Sequence, residues 1–184
     1  ADPAVSRTYR AHAYDIVNER LDQIISRLSS TLQNAGYRAL PVPASNRVDD
    51  RRLMGLFSNK MAAHLAGLGW IGKSCLLITP ENGPRVRWAA VLTDAPLATG
   101  KPMHSQCGDC HECVDACPVH AFTGRAFRAE EPREARYDAH KCDDYLFIDR
   151  EKGEVRTCGM CLYICPYGRD AAAGIGLSAE TRRP

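Results

Sequence analysis

Between residues 9 and 35, Val17, Leu21, Ile24, Ile25, Leu28 and Leu32 recur at helical spacing, with Glu19, Arg20, Asp22, Gln23 and Arg27 filling the other positions. This period predicts one amphipathic helix, stopped by Gly36. Tyr37 to Val42 then reads as a short strand, with Pro41 and Pro43 marking an edge or an exit. Residues 44–52 are polar and loop-like. Ser58 is placed to cap a second helix, Asn59 to Ala66, ended by Gly67. A glycine-rich turn, Gly67 to Gly72, follows. Cys75 to Thr79 reads as a buried strand, Pro80 to Pro84 as a turn, and Val86 to Leu92 as another strand. The last two strands predict a hairpin, so at least part of the sheet is expected to be antiparallel.

From Pro96 onward the apolar periods fade and cysteines dominate. The expected fold class is α+β: an α/β domain over residues 1–100, then a second domain over 101–184. A length of 184 residues suits this division. The net charge of +2 gives no broad basic surface for duplex nucleic acid. No apolar run approaches the roughly 20 residues that span a bilayer, and no secretory signal is visible. The sequence begins at Ala1 rather than a methionine, which allows for further residues upstream, targeting information among them. The nine cysteines are an odd number and mostly sit two residues apart. That pattern favours metal or redox work over disulfide cross-linking, and hence a reducing, cytoplasmic setting.

The first cysteine run is Cys107-x2-Cys110-x2-Cys113-x3-Cys117-Pro118. This is the spacing of two-cluster ferredoxins, in which the fourth cysteine ligates the other cluster. A second run, Cys158, Cys161 and Cys165-Pro166, repeats it, except that the match to Cys107 falls on Val155. Cys142 is the free cysteine nearby that can replace the missing ligand. One [4Fe–4S] cluster is therefore assigned to Cys107, Cys110, Cys113 and Cys165, and the other to Cys117, Cys142, Cys158 and Cys161. Two zinc sites are the competing reading, but a triple CxxCxxC run leaves one knuckle cysteine surplus. Cys75 is left over, in an apolar strand, and is expected to be core.

Gly67, Gly69 and Gly72 satisfy GxGxxG, and with Lys73 and Ser74 they also satisfy GxxxxGK[ST]. A phosphate loop needs a strand before it and a helix after it. Here the predicted order is reversed, so the turn is expected either to be structural or to line a cofactor of another kind. Trp70 could pack on a flat cofactor and Lys73 could contact an acidic or amide group; a core tryptophan and a solvated lysine are the plainer alternatives.

The segment Gly67-Leu-Gly-Trp-Ile-Gly-Lys73, the Leu-Leu-Ile strand, residues Gly83 to Leu97 and the two-cluster cysteine set with its lone Cys142 resemble the epoxyqueuosine reductase family. Corrinoid-dependent reductive dehalogenases are a related group. The resemblance covers about residues 9–170. It implies a partial α/β cobalamin-type domain followed by a ferredoxin-like domain, two [4Fe–4S] clusters, cobalamin as a further cofactor, and Gly67, Gly69, Trp70, Gly72 and Lys73 as cofactor-side residues. Where it implies the reductases' catalytic aspartate, the chain has Leu53, with Asp49 and Asp50 the nearest acids. No catalytic residue is assigned. The chain reads as a short, divergent member.

Clusters supply one-electron transfer. The first functional expectation is a corrinoid-linked reductase fed by a ferredoxin- or flavodoxin-type donor. The second is an electron-transfer module docking on a partner enzyme, for which an exposed apolar patch on residues 9–35 would speak. Binding of tRNA is a third, weaker expectation. His111 and His120 flank the first run and could donate to cluster sulfur, although surface positions are the default. Asp143 and Asp144 would lower the potential of a nearby cluster.

Overall fold

A computed structural model describes residues 7–44, 47–149, 154–155 and 157–169. The parts of the expected domains at 1–6 and 170–184 lie outside these residues. A π-type coil at Arg10–Ile16 runs directly into helix α1, Val17–Asn34, as the apolar period predicts. Gly36 closes it with φ +89°. Strand β1, Ala39–Val42, lies antiparallel to β4, Ala90–Thr93, with Leu40 opposite Leu92 and Pro41 opposite Val91. Helix α1 packs on this pair by burying Ile25 and Ser29. The rest of its apolar stripe is only partly covered, and Ile24 and Leu28 are each 52% exposed.

Helix α2, Asn59–Leu65, starts at Ser58, whose hydroxyl accepts from the Met61 N–H. Strands β2, Trp70–Ile71, and β3, Leu77–Ile78, follow and pair with each other. The expected hairpin between the 75–79 and 86–92 segments is therefore not formed. The chain reverses too early for it: Gly72 N–H donates to the Leu76 carbonyl at 2.9 Å, and Cys75 takes φ +54°. β3 is thus folded back on β2, which leaves β4 to pair with β1. Ala63, Ile71 and Leu77 form the core here, with Trp88 and Phe127 against them.

The cysteine-rich half has little regular structure. Helix α3 is Glu112–Asp115, and a 3₁₀ turn spans Arg133–Ala135. Helix α4, Ala139–Leu146, is capped by Asp138, which accepts from the His140 and Lys141 N–H groups. Strands β5, Phe147–Asp149, and β6, Glu154–Val155, form a short antiparallel pair before helix α5, Met160–Tyr163. A second core gathers Cys117, Ala121 and Phe122, with Tyr137, Cys142 and Cys161 packed on it. Among the described residues no helix is long and apolar enough to cross a membrane.

Candidate metal centres

Short helices place the thiols. In the first run the chain turns at Gly108, φ +47°, with Cys110 N–H on the Cys107 carbonyl at 2.9 Å, and then enters α3, which carries Cys113. In the second, Gly159 takes φ +71° and leads into α5, which carries Cys161. The two helices pack together, so each run reaches the thiols of the other. A pocket is lined by Cys107, Cys110, Cys113 and Cys165, with Gly72, Lys73 and Tyr167 on its wall. The second group is Cys117, Cys142, Cys158 and Cys161: Cys117, Cys142 and Cys161 share one apolar cluster, and Cys142 and Cys161 both feel the charge of Cys158.

The donor sets fit polynuclear clusters. The first group offers four sulfurs from two separated segments around a shared pocket, and the second offers four from three segments. Among the described residues no three Cys, His, Asp or Glu side chains come close enough to share a single metal ion. Burial pushes the Cys113 thiol up to about 11, with neighbouring Cys107 and Cys110 adding to it. Burial likewise lifts Cys161 to about 12, and Cys142 is the next cause. These thiols are held neutral until metal replaces their protons. Cys75 stands apart: it is 6% exposed, and the charges acting on it are those of Arg136, Lys60 and Arg133, not of another cysteine.

The glycine turn lies against the first thiol group. Helix α2 precedes it and strands follow, so the order required for phosphate binding is absent. The space left by its missing side chains is taken by the chain itself: Gly67 abuts the Lys101 backbone, Gly69 the backbone of Ile78 and Thr79, and Gly72 the Ile78 side chain and Cys107 Sγ. Lys73 is not a solvated lysine. It is 7% exposed, and its Nζ donates to the Gly108 carbonyl at 2.8 Å and the Cys110 carbonyl at 3.0 Å. Trp70 is buried edge-on against Tyr167.

Two residues with no signal in the sequence also serve the site. Arg85 donates from Nη1 to the Tyr167 carbonyl at 2.6 Å, and from Nη2 to the carbonyls of Tyr163 at 3.0 Å and Cys165 at 3.2 Å. The Tyr137 hydroxyl hydrogen-bonds Cys142, and burial with this bond raises its pKa. Asp143 is 8% exposed and pairs with Arg47 at 2.8 Å, and its charge also acts on Cys142. His111 and His120 are exposed. Leu53 takes φ +50° in a turn whose Arg52 and Leu53 carbonyls accept from Arg133.

Comparison with known proteins places these features. Residues 106–168 match the family described as a 4Fe–4S double cluster binding domain. The epoxyqueuosine reductase of Pseudomonas aeruginosa is 30% identical over 91% of this chain and 43% of its own length. That of Synechococcus sp. is 33% identical over 83% of this chain and 45% of its own length. The chain therefore spans less than half the length of these relatives. A crystal structure of a selenomethionine-labelled epoxyqueuosine reductase superposes with a TM-score of 0.59 at 26% identity, over 85% of this chain and 39% of that one. An epoxyqueuosine reductase with a tRNA stem loop gives 0.57 at 26% identity, over the same 85% and 39%. A catabolic reductive dehalogenase shares the fold, with a TM-score of 0.57 at 23% identity over 82% of this chain and 22% of that one.

Proposed function

Taking the chain as an epoxyqueuosine reductase-like protein with a double 4Fe–4S cluster domain, we propose that it is the electron-carrying part of a reductase. One cluster is held by Cys107, Cys110, Cys113 and Cys165, the other by Cys117, Cys142, Cys158 and Cys161. The observation that carries this reading is the pocket lined by three cysteines of the first run and one of the second. Crossed ligation of this kind keeps two clusters within reach of each other. Bound clusters supply one-electron transfer. The chain's own residues fix the thiols, shield them from water and set the charge around them.

A ferredoxin- or flavodoxin-type protein is the proposed donor, meeting the second cluster. Electrons leave from the first cluster, which the Gly67–Lys73 turn backs. The proposed acceptor on that side is a corrinoid, on the strength of the sequence resemblance. The three glycines of the turn are already filled by the chain's own backbone, so most of such a cofactor's contacts would come from outside these residues. The relative solved with a tRNA stem loop acts as a reductase of epoxyqueuosine. Here the position implied for its catalytic aspartate is Leu53, and tRNA is not proposed as the substrate.

Iron and labile sulfide analysis of anaerobically purified protein tests the cluster reading, with about eight of each expected per chain. About one or two zincs with no labile sulfide would reject it. Titration with cob(II)alamin, followed by electron paramagnetic resonance, tests the acceptor. A base-off signal lost in Gly69→Val supports a corrinoid. No perturbation in a chain extended to its relatives' length rejects it.

A second reading has an observation of its own. Ile24 and Leu28, one turn apart on α1, are each 52% exposed, and Tyr9 and Tyr14 add apolar surface at 41% and 42%. An electron-transfer module that docks through α1 accounts for that surface. Cross-linking from position 28 distinguishes the two readings: capture of a separate reductase favours docking.

A further inference from the structure

The geometry points to Lys73 and Arg85 as the residues that set the potential of the first cluster, an inference that rests on the cluster assignment above. Both belong to the half of the chain that carries no proposed cluster ligand, and they approach the four-thiol pocket on two different ligand loops. Lys73 Nζ holds the carbonyls of Gly108 and Cys110, inside the first cysteine run. Arg85 holds those of Tyr163, Cys165 and Tyr167, around the ligand contributed by the second run. Each brings a cationic side chain to the backbone carbonyl of a proposed ligand, Cys110 for Lys73 and Cys165 for Arg85, and of its loop neighbours.

A four-thiolate cluster gains one negative charge on reduction. A cation fixed nearby favours the more negative state, as it favours the ionised form of a carboxylate, so it raises the reduction potential. The effect is strengthened by burial, because Lys73 is 7% exposed and little water screens it. Gly72 brings the turn close: a Cβ there would lie 3.5 Å from Cys107 Sγ.

The second group is arranged differently. Its direct partners are neutral: the Tyr137 hydroxyl on Cys142, and the Ala121 N–H, which donates to Cys117 Sγ at 3.3 Å. Asp143 beside it pairs with Arg47, and its charge acts on Cys142 in the direction opposite to a cation's. Lys60 and Arg133 act on it only at longer range, since their hydrogen bonds go to the carbonyl of Cys75 and to those of Arg52 and Leu53. The two potentials are therefore controlled by separate residues.

The test is a redox titration of the full, anaerobically loaded chain, monitored by electron paramagnetic resonance. Lys73→Gln and Arg85→Gln put a neutral amide donor in place of the cation. With about eight irons retained, each should move the same one of the two one-electron waves to lower potential. At the wild-type midpoint, the ratio of reduced to oxidised cluster should fall about tenfold, about 59 mV for a one-electron couple. Tyr137→Phe should move the other wave. A variant that loads only about four irons, with the Tyr137-sensitive wave intact, also ties the residue to the first cluster. Eight irons with both waves in place would overturn the inference, as would a shift in the wave that Tyr137→Phe moves. A wild-type chain that takes up no cubane fails the cluster reading itself, before either residue is tested.

Discussion

Trp70 and Tyr167 meet edge to face, with ring centroids 4.8 Å apart and planes at 80°. Trp70 is 1% exposed, and Tyr167 stands two residues after Cys165. The indole is thus a supporting wall of the first thiol group. Its Nε1 has no hydrogen-bond partner among the described residues, so the contribution is packing. Trp70→Ala is expected to remove about 3–5 kcal/mol of stability, and Trp70→Phe clearly less. Thermal unfolding of the loaded chain measures this, and an alanine variant with unchanged Tm would contradict the supporting role.

Cys142→Ala should damage the second cluster and spare the first, giving a three-iron signal or a loss of about four irons. Cys75→Ala should leave both intact, since its buried thiol belongs to neither group. Iron counts of the two variants decide the point, and the opposite pattern would require a different ligand set.

Cluster loading should depend on pH in one direction. Burial lifts Cys113 to about 11 and Cys161 to about 12. At neutral pH the metal-free thiols carry protons and the loaded thiolates carry none. Loading therefore releases protons, and raising the pH favours the loaded state until those values are passed. Competition with an iron chelator at pH 6.5 and 8.5 should show weaker retention at the lower pH, whereas equal retention would mean that the thiols are already ionised.

Magnesium ATP should leave the melting temperature unchanged. A ligand that binds the folded chain stabilises it by linkage, but Lys73 is engaged by two carbonyls and α2 precedes the turn instead of following it. A thermal shift lost in Lys73→Met would show that the phosphate-loop pattern is functional.

Much of this was legible in local pattern. The α1 period, the Ser58 cap and the Gly36 stop report on neighbours a few residues away, and the structure contains each of them. Cys107, Cys110 and Cys113 line one pocket for the same reason, because thiols on one tight loop reach the same space. What could not be read depends on distant partners. β3 turns back to β2 through a five-residue reversal whose critical residue, Cys75, adopts a backbone conformation that its side chain does not announce. Lys73 finds its acceptors 35 and 37 residues away, and Arg85 finds its own 78 to 82 residues away. Those acceptors are backbone carbonyls, which every residue possesses, so no side-chain pattern marks them.

The turn bearing Gly83 and the loop bearing Gly168 approach so closely that a Cβ on either would collide with the backbone of the other, and both have positive φ. Gly83→Ala is expected to lower stability by about 1–3 kcal/mol from backbone strain alone, with the collision adding to it. An unchanged Tm would mean that the two segments separate without penalty.

That close seam bears on how such a molecule could be rebuilt or could evolve. A segment cut at residue 101 and grafted onto another electron carrier would keep all eight proposed ligands, but it would leave behind Lys73, Arg85, Trp70 and Gly83. The carbonyls of both cysteine loops would then face whatever the new host supplied. The double-cluster segment is therefore not a transplantable cassette. Shuffling of its kind should succeed only where the recipient already offers two cations, an aromatic wall and a glycine at matching places, so exchange is restricted to close kin.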